Sequence, residues 1–201
     1  MRGYILAAIM IVAAGAATIW AATDGLRAFT AEGARRLQAL ERPARVPQPM
    51  LTDMTGGSLP LAAEPGKVLL VEFIFATCPT ICREAGDAFS RLSARLDASR
   101  LGARARMVSV SFDPKDRIGD TLSDYGQSHN ADGKRWTIAR FTDFAQRDAT
   151  LAAYGVTVIP DPLFGYQHNA AIHMVNDQGR LVGIFNLEDE AGVLEAIGRN
   201  S

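Results

Sequence analysis

The chain has 201 residues, 48% of them hydrophobic and 21% charged, with a formal net charge of -1. That supplies apolar material for one ordinary globular core with something attached to it. Lys and Arg are dispersed, and no dense basic run could neutralise phosphates, which argues against nucleic acid as a partner.

After Arg2 no charged residue occurs from Gly3 to Thr23, and these 21 residues would span roughly 32 Å as a helix, about a bilayer core. Arg2 and the amino terminus on one side orient such an anchor with its N-terminus in the cytoplasm. The rest of the chain is then expected on the periplasmic side of the inner membrane. A cleaved signal peptide, processed at Ala14-Gly15-Ala16, is the competing reading. Cleavage there would leave an apolar remnant, and either reading exports the domain.

From Asp24 to Leu40, residues Leu26, Phe29, Gly33, Leu37 and Leu40 recur near one face at helical spacing. This reads as the anchor helix continuing into water, with a docking helix for a membrane partner as the alternative. Three prolines between Pro43 and Pro49 read as a semi-rigid spacer. The expected organisation is an anchor over 1–23, a juxtamembrane helix and linker over 24–49, and a domain over 50–201.

From Met50 the pattern alternates between strand and helix. Leu51–Met54 and Leu59–Leu61, joined through Gly56-Gly57, predict a short hairpin. Val68–Phe75 predicts a buried strand and Arg83–Leu96 a helix. Ala105–Phe112 predicts a second apolar strand ending at Asp113-Pro114. A helical segment is expected over Asp120–Gln127, an irregular stretch or short strand over Trp136–Phe141, and a helix over Phe144–Tyr154 ended by Gly155. Ile172–Val175 and Leu181–Phe185 form a hairpin around Asn176-Asp177-Gln178-Gly179, and Glu190–Ile197 closes the chain as a helix. The sum is a thioredoxin-like α/β sandwich with a central mixed sheet.

Between the first buried strand and its helix lies Cys78-Pro79-Thr80-Ile81-Cys82, which holds both cysteines of the chain. Positions four apart share one face of a helix. Two soft sulfurs at a strand-to-helix junction suit a soft metal such as Cu(I) or a reversible disulfide. Cys78 near a helix N-terminus would gain thiolate character from the unpaired amides. A plain structural disulfide would close too short a loop to gain much. A peroxidase reading fails on spacing, because Thr77 directly precedes Cys78.

These residues resemble the Sco/SenC copper-chaperone family, which is similar to thioredoxins but spaces its cysteines as Cys-x-x-x-Cys. The likeness extends through Leu51-Thr52-Asp53-Met54-Thr55-Gly56, Gly66-Lys67-Val68, Phe75-Ala76-Thr77 before the cysteines, Val110-Ser111-Phe112-Asp113-Pro114, Trp136, Phe141-Thr142 and His168-Asn169, covering about residues 50–198. Arg83, Gln167, Asn169, His173 and Asp116-Arg117-Ile118 depart from the family pattern without removing a ligand.

The resemblance implies a membrane-anchored metallochaperone that delivers copper to a respiratory haem-copper oxidase subunit and is loaded by a copper-donor protein. It implies Cys78, Cys82 and His168 as copper ligands, and a carrier, with enzymatic thiol-disulfide exchange left open. Of the three histidines, His129 falls in a polar stretch read as a solvated loop. His173 lies an odd number of residues beyond His168 and so on the opposite strand face, which argues against joint ligation. Asp113 either orients a ligand or a partner's basic group, or merely starts the turn before Pro114. Two other functions stay open. One is a thiol-disulfide oxidoreductase, in which Cys78 attacks and Cys82 resolves, keeping the oxidase's copper-ligand cysteines reduced. The other is a membrane-anchored accessory subunit of a respiratory complex.

Overall fold

The computed structural model describes residues 2–77 and 81–200, with side chains described over 3–77 and 83–200. The chain divides into two compact units, Met1–Arg42 and Pro43–Ser201.

In the first unit α1, Arg2–Ala22, holds no Pro and, after Arg2, no charge. Among the described residues it is the one helix long and apolar enough to cross a membrane. The expected continuation of this helix does not form. Asp24, Gly25 and Leu26 take left-handed backbone angles, φ 46, 74 and 67°, and the Thr23 hydroxyl accepts the Leu26 amide at 3.0 Å. A new helix, α2 at Ala31–Glu41, starts at Thr30, whose side chain caps the Gly33 amide. The apolar spacing ran across this break, so periodicity alone hid a cap-and-restart signal. Within α2, Glu32 pairs with Arg35 and Arg36.

The second unit is built on a seven-stranded sheet in the order β2-β1-β5-β4-β3-β8-β9. Its strands are β1 (Met50–Asp53), β2 (Ser58–Pro60), β3 (Val68–Ile74), β4 (Ala105–Ser111), β5 (Trp136–Phe141), β8 (Ile172–Val175) and β9 (Leu181–Phe185). The three central strands run parallel, β3 to β4 and β4 to β5, and the outer pairings are antiparallel. Every residue of β3 is buried, as expected of a parallel strand covered on both faces. Trp136–Phe141 is a full strand at the heart of the sheet, where aromatic and β-branched content outweighed its mixed polarity.

Helices cover both faces. Against the face carrying Glu72, Ser109 and Trp136 lie α3 (Ile81–Asp97), whose Phe89 ring meets Trp136, α4 (Thr121–Ser128), whose Gly126 sits close to Ile138, and α6 (Glu190–Asn200). Glu190 of α6 holds Arg91 and Arg95 of α3. On the other face α5 (Arg147–Tyr154) places Tyr154 edge-on to Phe73 and His173. Gly155 ends α5 in the left-handed conformation, φ 71°.

Two features differ from the sequence expectation. Residues 43–49, read as a spacer, run beside the terminal hairpin. Val46 N donates to Gly179 O at 3.0 Å, Leu181 N to Ala44 O at 2.9 Å, and Arg180 Nη1 to Pro43 O at 2.9 Å. A second, two-stranded sheet of β6 (Val158–Asp161) and β7 (Gly165–His168) also stands apart from the main one. Pro160 and Pro162 concealed it from a strand search, since Pro is confined to strand edges.

Candidate metal centre

Ligands of open α/β sheets gather beyond the carboxyl ends of parallel strands. Here β3 and β4 end side by side, and the next residue of each is an aromatic, Phe75 and Phe112. Their rings lie 5.8 Å apart between centroids. Three residues beyond Phe75 the cysteine segment begins. Cys78 lies outside the described residues with Pro79 and Thr80, and Cys82 stands in the first turn of α3, which starts at Ile81.

The β6–β7 hairpin folds over the same end. Its last residue, His168, sits with its ring 5.2 Å from Phe112 and 6.2 Å from Phe75. Tyr166 meets both aromatics at 5.5 and 5.4 Å. The Asn169 side chain locks the base of the hairpin, accepting from Thr157 N at 2.7 Å and donating to Gly155 O at 3.1 Å. Asp161 caps the tip, accepting from Leu163 N, Phe164 N and Gln167 Nε2. That leaves Leu163 85% exposed at the tip. Burial among the rings pushes the His168 imidazole below its ordinary pKa, opposed by a weaker contact to its neighbour's carbonyl. Neutral imidazole is the form that binds metals.

Asp113 follows Phe112 and is 4% exposed. It accepts Lys115 N at 2.9 Å, so it does form the turn before Pro114. Burial, and after it the nearby Asp113 charge, raise the pKa of the Tyr166 phenol. Asp113 thus makes the turn before Pro114, and it shares a cavity with the hairpin that carries His168. Phe75, Thr77, Asp113, Lys115 and Tyr166 line a common cavity of about 570 Å³ with the hairpin.

The other two histidines are elsewhere. His173 is 1% exposed within β8, its Nδ1 3.3 Å from Val71 O and its ring 5.7 Å from Phe73. It packs in the core, apart from His168; the two lie on different strands of different sheets, β7 and β8, so the parity of their spacing does not decide it. His129 corrects the sequence expectation of a solvated loop. It is 5% exposed, packs its ring at a tilt against Tyr125 at 4.6 Å, and holds Nδ1 3.2 Å from Asp87. The signal was Gly86 in the middle of α3. A Cβ there would lie 2.6 Å from both the imidazole and the Tyr125 hydroxyl, and an interior helical glycine often marks such a close approach.

Sequence reasoning also missed Asp116. Its carboxylate is fully buried at the foot of the cysteine segment, accepting Ala76 N and Ser111 Oγ, each at 2.6 Å. Nothing in its local motif distinguished it from a solvated turn residue.

A family model described as SCO1/SenC matches residues 40–199. No curated protein sequence matches the chain. Among solved structures, a SCO1/SenC family lipoprotein from Bacillus anthracis superposes with a TM-score of 0.70 at 16% identity, covering 80% of this chain and 98% of that one. BsSco, described as a member of the Sco family of cytochrome c oxidase assembly proteins with a disulfide switch, gives 0.68 at 18%, covering 79% and 94%. Bradyrhizobium japonicum ScoI, solved with copper bound, gives 0.63 at 22%, covering 79% and 100%. The α/β sandwich of the second unit is thus the thioredoxin-like fold expected from the sequence.

Proposed function

The chain belongs to the SCO1/SenC family, and from that premise we propose that it is a membrane-anchored copper carrier that serves the assembly of a respiratory haem-copper oxidase. The observation that supports this most is the convergence at one sheet end. A neutral, ring-packed His168 is brought to Phe75, three residues before Cys78, by a hairpin pinned at both its base and its tip.

In this reading copper is cargo. The thiolates of Cys78 and Cys82 hold Cu(I), and the His168 imidazole completes a set of two sulfurs and one nitrogen that also tolerates Cu(II). Three ligands leave one side of the metal open, so a ligand of the oxidase subunit can attack there and take the metal, as a donor protein's ligands release it on loading. Asp113 orients the His168 hairpin through Tyr166. Residues 1–23 anchor the chain in the inner membrane, 24–49 lead away from it, and 50–201 bind copper on the periplasmic side. The exposed span Gly3–Ala22 of α1, which carries no charge, supports the anchor.

Copper analysis of the full-length protein in detergent tests this. We expect one copper per chain. Cys78→Ser or Cys82→Ser replaces a soft thiolate by a hard hydroxyl, and Cu(I) retention should fall at least a hundredfold. Unchanged retention in both variants would sink the ligand assignment.

A second reading draws on the cysteine spacing and on the disulfide switch of BsSco. Cys78 thiolate attacks a partner disulfide, a mixed disulfide forms, and Cys82 displaces it. The partner leaves as a dithiol and a Cys78–Cys82 disulfide remains. Oxidase assembly that survives His168→Ala but not loss of either cysteine would favour dithiol chemistry over copper delivery.

A further inference from the structure

The β3–β4 ladder ends abnormally. Phe112 N donates to Ile74 O at 3.0 Å, the last regular bond. In a parallel ladder the next would run from Ala76 N to Phe112 O. That carbonyl instead receives Arg147 Nη1 at 3.4 Å, and Ala76 N turns to the Asp116 carboxylate at 2.6 Å. A side chain thus replaces the strand at the point where the backbone leaves the sheet, two residues before Cys78.

The acceptor itself is held from several sides. Ser111 Oγ donates to the same carboxylate oxygen, Oδ2, at 2.6 Å. The Asp116 amide reaches Asp113 O at 3.2 Å, and Arg140 Nη1 donates to its carbonyl at 2.9 Å. Asp116 is 0% exposed, and among the described residues its Oδ1 has no hydrogen-bond partner. Burying a carboxyl with one oxygen unmatched is costly. Closing a turn requires no such group, since Asp113 already does so through Lys115 N. Burial is also the main reason the Asp116 carboxyl titrates above the usual carboxylate range.

We propose that Asp116 is a positioning residue for the cysteine segment: by taking Ala76 N off the β3–β4 ladder it sets the direction in which the chain enters Cys78–Cys82, and so the relative placement of the two thiols. As it concerns copper the inference rests on the function proposed above. As it concerns the thiols it stands without it.

The test uses the full-length protein in detergent with Asp116→Ala, Asp116→Asn and Ser111→Ala, and with Glu72→Gln as a control that alters a buried carboxyl away from the segment. The readouts are the Cys78–Cys82 dithiol–disulfide equilibrium in a glutathione buffer, the separate alkylation rates of the two thiols, and Cu(I) release to a competing chelator. Asp116→Ala should move the equilibrium at least tenfold, about 30 mV, and change the ratio of alkylation rates at least fivefold. Asp116→Asn keeps a carbonyl that accepts both donors and should stay within threefold of the parent on every readout. Ser111→Ala removes one donor but not the Ala76 contact and should shift them in the same sense by less. The control should leave both thiol readouts unmoved.

Thiol readouts equal to the parent in folded Asp116→Ala would overturn the proposal. So would an Asp116→Asn variant as damaged as Asp116→Ala. If Asp116→Ala does not fold, unmoved thiols in Ser111→Ala would overturn it. A parent that binds no copper would refute the carrier reading, while the thiol measurements would still decide the role of Asp116.

Discussion

The middle of the parallel strands and their carboxyl end carry the same residue types with opposite consequences. Both regions hold a carboxyl that receives a hydroxyl from β4: Glu72 from Ser109 at 2.5 Å, and Asp116 from Ser111 at 2.6 Å. Both hold a histidine, His173 in the middle and His168 at the end. In the middle the polar groups turn inward. Trp136 Nε1 donates to Ser109 at 2.8 Å, and His173 meets a backbone carbonyl. At the end they turn to the segment that leaves the sheet, to the hairpin and to the cavity between them. Residue identity does not tell the two settings apart, and under the proposed function it is position along the sheet that separates a functional carboxylate or imidazole from a core one.

The largest expected break in this comparison is between the two histidines. His168→Ala should abolish stable Cu(II) binding, lowering affinity at least a thousandfold, and leave thermal stability nearly unchanged because the hairpin is pinned through Asn169 and Asp161. His173→Ala should do the reverse. It opens a gap beside Phe73 and Tyr154 and should cost on the order of 2–3 kcal/mol with copper stoichiometry intact. Denaturant titration and copper analysis on the same preparations check both. Copper loss in the His173 variant with His168 silent would invert the assignment.

The carboxyls sharpen the contrast through pH. Burial raises Glu72 from 4.5 to about 8, partly offset by the Ser109 hydroxyl. The folded chain therefore holds a proton there that the unfolded chain releases above its ordinary pKa. The sign comes from linkage: this stabilisation is full below about pH 4.5 and is lost as pH rises to about 8. Between pH 5 and 8 the loss is on the order of 3 kcal/mol. Glu72→Gln removes this component, so the difference in stability between variant and parent should grow in favour of the variant across that window. His168, whose pKa is lowered by burial, acts in the opposite sense but equally in both proteins, so the difference isolates Glu72. Parallel curves from pH 5 to 8 would show that the carboxyl ionises freely.

What the sequence made legible was what local chemistry encodes. The apolar run Val68–Phe75 had to be a covered strand, and the Asp-Pro step after Phe112 had to be a turn. His168 could be brought to the end of the sheet that carries Phe75 and Phe112 only through the family likeness, because the hairpin that holds it is written in prolines. Asp116 and His129 were illegible for a different reason. Both sit in polar stretches that read as solvent-facing, and each is buried by a distant partner: Ala76 from the end of β3, and the gap at Gly86 in α3. Tertiary burial of a polar residue leaves no local period to find. The break at residues 23–30 was readable in principle, since Thr30 is a capping residue, but a continuous apolar stripe outweighed it.

The smallest expected effect concerns where the folded unit begins. If residues 43–49 were only a spacer, removing them would cost nothing. The contacts say otherwise: two backbone hydrogen bonds join Ala44 and Val46 to the terminal hairpin, Arg180 reaches Pro43 O, and Val46 is buried. A net contribution of about 1 kcal/mol per hydrogen bond, less at a solvent-exposed edge, is reduced by the entropy of ordering a short strap already stiffened by prolines. We expect a chain trimmed to 50–201 to unfold about 1–2 kcal/mol more easily than one trimmed to 43–201. Copper stoichiometry should be identical, because the strap lies at the β8–β9 turn and the start of β9, not at the carboxyl end of β3. Amide exchange supplies the finer test. The Leu181 amide, which donates to Ala44, should lose protection on trimming, while those of β3 and β4 keep theirs. Equal denaturation midpoints for the two trimmed chains would return residues 43–49 to the role of a passive spacer.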